Sequence, residues 1–222
     1  MTFARQVEAK RYVNLSIKSS SAAESVTLAF DFEEVPVLET ERLCLRRILP
    51  SDLAAWAEVW QCVSVRQYLL EFEGVPDDSA VWSIMEWAER IFSRKTGIRW
   101  AITLKPNDRM IGSCGFHLYE AHNRRLEIGY ELHKAYWRRG IMTEAVTEVL
   151  RFCFDCLNVH RVEADVTEGN IASAALLRKL GFVLEGLWRE RVYSRGAYHG
   201  MWQFGLLEPE YRGHAGAECS DF

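Results

Sequence analysis

The stretch from Leu126 to Thr167 limits the possible folds of this chain more than any other. LEIGYELHK alternates: Leu126, Ile128, Tyr130 and Leu132 share one face, and Glu127, Gly129 and Glu131 share the other. That is the period of a half-buried strand. MTEAVTEVLRFCFDCLN then places Ala145, Val146, Val149, Leu150, Cys153, Phe154 and Leu157 on one helical stripe. HRVEADVT returns to alternation through Val162, Ala164 and Val166. A strand, a helix and a strand in one sheet read as a right-handed parallel crossover. The sheet is therefore expected to hold one parallel pair amid shorter, antiparallel connections.

Those connections are readable on both sides. ERLCLRRI alternates as a strand, and Pro50-Ser51-Asp52 opens a helix over LAAWAEVWQ, with Ser51 or Asp52 as its cap. DDSAVWSIMEWAERIFSR reads as a second helix. IRWAITL and RMIGSCGFHLYE are strands joined by a turn at Lys105–Asp108. IASAALLRKLGF is a helix stopped by Gly181, and EGLWRERVYS pairs with YHGMWQFGLL around Arg195-Gly196. The predicted order is β-α-α-β-β-β-α-β-α-β-β, an α/β chain with a mainly antiparallel sheet. Residues 1–36 differ from the rest. Val13/Leu15/Ile17 and Val26/Leu28/Phe30/Phe32 suggest an N-terminal hairpin closed off by Pro36, able to lend an edge strand to a homodimer. The main domain is then expected over 37–211, with a tail at 212–222.

The formal net charge of −4 argues against nucleic-acid binding by bulk electrostatics. No apolar run reaches the ~20 residues that span a membrane. The six cysteines are scattered among apolar neighbours, which points to a reduced, cytoplasmic chain. Cys153, Cys156 and His160 have a metal-like spacing, but no second pair follows to complete four ligands, so no metal is expected.

HKAYWRRGIMTEA, His133 to Ala145, is the chemically suggestive turn. A tight passage from strand to helix leaves backbone N–H groups unpaired at the positive end of the helix dipole, a cradle for phosphate. Gly140 lets the backbone approach a ligand closely, Arg138 and Arg139 add forked donors, and Thr143 is available as cap or hydroxyl donor. The pattern is neither a Walker loop nor a dinucleotide fingerprint.

Six ordered motifs, ETERLCLRRILPSD, RMIGSCGFH, LEIGYEL, YWRRGIMTEA, NIASAALLRKLGF and GLLEPEY, resemble the GNAT superfamily of N-acetyltransferases. Within it they resemble the RimJ/RimL-like type that acetylates ribosomal-protein N-termini. The likeness covers about Val37 to Tyr211. It implies the GNAT fold: a mixed, mostly antiparallel sheet splayed between its fourth and fifth strands, LEIGYEL and RVEADV, with helices on both faces. It also implies acetyl-CoA as cosubstrate. The diphosphate would lie on amides of Arg138, Arg139, Gly140, Ile141, Met142 and Thr143, and the pantetheine arm would run in the splay against main chain of Leu132 and His133. Trp137 and Met142 depart from the family's Q/R-x-x-G-x-G/A pattern, so Met142 must point away from the ligand.

The resemblance further implies Glu127 as base, with Glu131 on the same face as competitor. The bland alternative pairs both with Arg124, Arg125 or Arg161. Most relatives carry a tyrosine where this chain has Leu177. The ribosomal-protein type instead implies that Asn170 holds the pantetheine arm and Ser173 hydrogen-bonds the coenzyme sulfur. Asn170 also suits a helix cap and Ser173 a packing position. Gly200 stands where an aspartate is frequent in the family. The expected reaction is acetyl transfer to a primary amine, foremost a protein N-terminal α-amine. A small-molecule amine acceptor and a CoA-binding module without catalysis are the alternatives.

Overall fold

The computed structural model describes residues 30–217, Phe72 excepted; most of the expected N-terminal hairpin, and with it the dimer reading, lies outside them. Eight strands form one sheet: β1 (Leu38–Glu39), β2 (Leu43–Arg47), β3 (Ile98–Leu104), β4 (Met110–Glu120), β5 (Arg125–Leu132), β6 (Arg161–Thr167), β7 (Val183–Ser194) and β8 (Ala197–Leu207). Their spatial order is β1-β2-β3-β4-β5-β6-β8-β7, and only β5–β6 is parallel. The helices are α1 (Leu53–Gln61), α2 (Val63–Arg66), α3 (Asp78–Ser93), α4 (Ile141–Arg151), α5 (Ile171–Lys179) and α6 (Glu208–Ala217).

Alternation along the strands sends side chains into two separate cores. Trp100, Phe116, Leu126 and Ile128 meet Ala145, Val149 and Phe152 on the α4 side. Ala101 and Met110 meet Trp56, Trp60, Val81 and Met85 beneath α1 and α3. Each large side chain so buried contributes roughly 1.5–3 kcal/mol. The Trp100 indole would forfeit part of that without a partner, and it donates to the Pro36 carbonyl at 2.7 Å.

Four details differ from the sequence reading. The short β1 precedes the first expected strand, so the splay falls between the fifth and sixth strands. The helix after the turn is α only to Arg151 and continues as a π turn over Phe152–Cys156. Three successive residues there, Phe152, Cys153 and Phe154, are all buried, and the wider turn brings them onto one face. Of residues 30–36, assigned above to the extension, Phe30, Phe32 and Val35 pack on the core, Phe30 against Phe92, Phe116 and Tyr119. At the other end α6 runs unbroken across the expected 211/212 boundary.

The β5–β6 pair positions the site. Of the eight residues in β5, only Arg125, Leu126 and Glu127 are in register with β6, opposite Arg161, Val162 and Glu163. Beyond Glu127 the strands separate. β6 stays fully paired with β8 and β5 with β4, so the opening is a slot inside a sheet held firmly on both sides.

Candidate active site

On the α4 side, β5 ends in a 3-10 turn, Lys134–Tyr136, before the chain reverses into α4. Arg138 and Gly140 both have positive φ, +58° and +72°. Left-handed residues alternating with right-handed ones gather successive amides into a concavity that attracts anions. Among the described residues no acceptor meets the amides of 138–143; the first bonded amide is that of Glu144, to the Gly140 carbonyl at 3.0 Å. The N-cap is Gly140, not Thr143, and it supplies no side chain to occupy the helix end. Arg138, Arg139 and Gly140 are exposed, whereas Met142 packs against the core and leaves the concavity clear. These residues fit a diphosphate.

A distant strand turn braces this corner. Arg42 contacts Glu144 at 2.6 and 2.7 Å and donates to the Arg139 carbonyl at 3.0 Å, and Thr40 donates to the same carboxylate. Burial opposes the charge of Glu144, but the Thr40 hydroxyl and the Arg42 amide and guanidinium prevail and hold its pKa below the ordinary value. Trp137, an atypical residue at its position, donates its indole N–H to the Leu132 carbonyl at 2.8 Å. The His133 amide is bonded to Ile111. The main chain of Leu132 and His133 is thus largely engaged within the protein. The edge of β5 beyond Glu127 has no β6 partner.

Within the slot, Asn170 caps α5, its Oδ1 accepting from the Ser173 amide at 3.2 Å; its side-chain NH₂ is left to donate elsewhere. The Ser173 hydroxyl lies 2.8 Å from the Tyr130 hydroxyl across the gap. Leu177 is wholly buried and offers no proton.

The opposite face of β5 carries the charged side chains. Glu131 is buried and saturated: Trp56 donates to Oε1 at 2.8 Å, Ser113 donates to the same oxygen, and Arg99 pairs with Oε2. Arg99 lies over Gly129, where a Cβ would stand 3.0 Å from its guanidinium. Glu127 stands apart from this network and faces His117, its register partner on β4, at 3.4 Å. The His117 ring meets Trp87 edge-on, and its buried Nδ1 has no partner among the described residues. The alternative pairing of these glutamates with Arg124, Arg125 or Arg161 is replaced. Those arginines serve Asn158, Glu120, Glu163 and Glu185. Asp165 lies two residues beyond the last β6 partner. Burial, then the charges of Glu127 and Glu163, raise its pKa to about 6 against the pull of Gln203 and Arg191.

Sequence reasoning named Glu127 but missed His117, Arg99 and Asp165. The first two become visible only once the β3–β4–β5 register is known. On the last hairpin Trp188 and Tyr198 are exposed, and His199 bonds the Ser194 carbonyl. Of the carboxylates between α1 and α3, Asp77 caps α3 and Glu73 accepts from the Arg195 amide. Among the described residues no cluster of His, Cys, Asp or Glu could hold a metal ion, and no helix is long and apolar enough to cross a membrane.

A parallel pair that parts after Glu127, with unpaired amides on one side and a carboxylate on the other, is an arrangement that suits a coenzyme A-dependent acyltransferase. The comparisons give the family: residues 42–183 match the GNAT acetyltransferase domain, and the chain belongs to that family. It is 35% identical over 179 residues to the uncharacterised N-acetyltransferase YoaA of Bacillus subtilis, covering 78% of this chain and 98% of that one. It is 25% identical over 181 residues to the ribosomal protein uS5-alanine N-acetyltransferase of Escherichia coli, covering 78% and 92%. The solved RimL, a ribosomal alpha-N-protein acetyltransferase in complex with coenzyme A, superposes with a TM-score of 0.69 at 20% identity, covering 77% of this chain and 97% of that one. This protein is an acetyl-CoA-dependent N-acetyltransferase.

Proposed function

We propose that the acceptor is a protein N-terminal α-amine, acetylated by direct attack in a ternary complex. The carrying observation is the slot itself, with unpaired amides on its α4 side and Glu127 facing His117 on the other. The diphosphate of acetyl-CoA lies against the amides of 138–143, with Arg138 and Arg139 on its oxygens. The arm passes through the slot along the open edge of β5, with the Asn170 side-chain amide as donor. The amine enters from the α1/α3 face.

Glu127, not Glu131, takes the proton of the amine, directly or through one water, because both Glu131 oxygens are already engaged. The amine nitrogen bonds to the acetyl carbon, the carbon–sulfur bond breaks, and sulfur leaves with that electron pair. Ser173 donates a hydrogen bond to it, and one proton is returned to the sulfur. An α-amine with pKa near 7.7–8 asks little of a lone carboxylate, whereas a lysine amine near 10.4 costs about 4–5 kcal/mol to deprotonate at neutrality. The likeness to the uS5-alanine enzyme supports the same class of acceptor.

The test is a screen with labelled acetyl donor against peptides with a free N-terminus, the same peptides N-blocked but carrying lysine, and small amines. Label in the free-N-terminus peptides is expected. Label confined to small amines overturns the protein acceptor and leaves the enzyme class intact.

A further inference from the structure

Tyr130 sits on β5 three residues past its last pairing with β6, where the ladder has already stopped. Its hydroxyl nevertheless reaches Ser173 in the first turn of α5, 2.8 Å away, so one side-chain contact joins the two walls of the opening. Neither hydroxyl oxygen has another hydrogen-bond partner among the described residues; the Ser173 amide bonds the Asn170 side chain. Two hydroxyls sharing one bond leave one proton unassigned.

The count of available partners decides which proton that is. Tyr130 is partly buried and packs against the apolar core, and this burial pushes its hydroxyl above the ordinary phenol range. The 2.8 Å contact fits either hydroxyl as donor; the phenol has Ser173 as its sole partner among the described residues, so its proton is satisfied only when it donates to the serine oxygen. The serine then receives at its oxygen and keeps its own proton for a ligand in the slot. A serine without that neighbour would be free to rotate or to turn its proton to the α5 backbone.

We infer that Tyr130 is a positioning residue for the transfer: its phenol accepts no proton but fixes the Ser173 hydroxyl so that the serine hydrogen is presented to the departing sulfur. The inference rests on the reading of Ser173 given above. No extra proton is moved in this arrangement; the phenol donates a hydrogen bond, and the serine passes its own hydrogen bond forward.

The test needs no acceptor amine. Coenzyme A, bound to the full chain, has a thiol whose ionisation is followed by ultraviolet absorbance across pH, with desulfo-coenzyme A as the affinity control. In the parent protein the bound thiol is expected to ionise at lower pH than the free coenzyme. Tyr130→Phe should undo most of that, weakening the affinity for the ionised coenzyme about three- to tenfold. Its affinity for desulfo-coenzyme A should not change. Ser173→Ala should undo all of it, and adding Tyr130→Phe to Ser173→Ala should change nothing more. A Tyr130→Phe protein with the parent's titration overturns the inference, as does an equal effect of Tyr130→Phe in the presence and absence of Ser173. An unshifted thiol in the parent overturns the Ser173 reading itself and this inference with it. Failure to bind either coenzyme overturns the donor site, a separate result. Should Tyr130→Phe unfold, 3-fluorotyrosine at position 130, a stronger donor, should move the bound thiol to still lower pH; no movement overturns the inference.

Discussion

The donor corner and the acceptor face lie at the two sides of one strand, β5, and are made of different materials. The donor corner is almost wholly backbone: two left-handed residues and a run of unpaired amides, steadied by Thr40 and Arg42. The acceptor face is side chain: Glu127 with His117, and Glu131 locked among Arg99, Ser113 and Trp56. Backbone sites tolerate side-chain change wherever the dihedrals survive. That explains how Trp137 and Met142 occupy positions where relatives carry other residues, one bonding the Leu132 carbonyl and the other turned into the core. Side-chain sites have no such latitude, because each atom is both structure and chemistry.

The sharpest contrast lies within the acceptor face itself. Glu131→Ala should leave the Arg99 guanidinium buried without its counter-ion, a loss of about 3–5 kcal/mol. Urea denaturation should show it as a lower midpoint at unchanged slope. The pair Arg99→Met with Glu131→Leu should recover only part of the loss: it removes the unpaired charge, but the buried Trp56 indole and Ser113 hydroxyl lose their acceptor. Glu127→Gln removes no such partner. It should leave stability near the parent and lower kcat about 10²-fold with coenzyme affinity intact. Steady-state rates beside calorimetry separate the two outcomes, and an unchanged kcat across pH would exclude Glu127 as the base.

Breaking the donor corner calls for a backbone change. Gly140→Val places a β-branched residue at φ +72°, a strained conformation although a Cβ would meet nothing nearer than an Arg42 nitrogen at 3.5 Å. The turn should relax and disperse the amides. Calorimetry should then report coenzyme affinity about 10- to 100-fold weaker with kcat at saturation far less affected. Arg138→Ala should weaken binding only a few-fold, more at low salt than at high, because an exposed cation acts through a screened field.

This division also marks what could be read in the sequence. The alternation of Leu126–Leu132, the helical stripe from Ala145 and the left-handed stop at Gly181 are local patterns, and local patterns reach the structure nearly unchanged. Asn170 as cap was legible for the same reason. Of the two roles open to Thr143, the cap falls to Gly140, because here a left-handed glycine rather than a side-chain oxygen opens the helix. What remained hidden depends on register or on contacts between residues far apart in the chain. His117 faces Glu127 only through the β4–β5 pairing, and Arg42 braces Glu144 from about a hundred residues away. The Tyr130–Ser173 contact requires the strands to part at Glu127, and the spacing of hydrophobic residues does not say where a parallel pair ends.

The smallest effect tests whether the mouth of the slot is strained by charge. Asp165 has its pKa raised from the ordinary 3.8 to about 6. Between these values the folded chain holds a proton that the unfolded chain has released, so folding stability falls as pH rises through that window. Above about pH 6 the full penalty is present, and below about pH 4 there is none. Asp165→Asn should therefore raise Tm by about 2–4 °C at neutral pH, after allowance for the partial exposure of the group, and by nothing at acid pH. Thermal unfolding of both proteins at the two pH values checks the sign. A gain independent of pH would mean that the asparagine merely packs better. A gain confined to neutral pH that shrinks on a Glu127→Gln background would separate the share of the strain due to the two carboxylates confronting each other across the parting strands from the larger share due to burial. The acceptor face would then differ from the donor corner in one more respect: it is held together against its own charge.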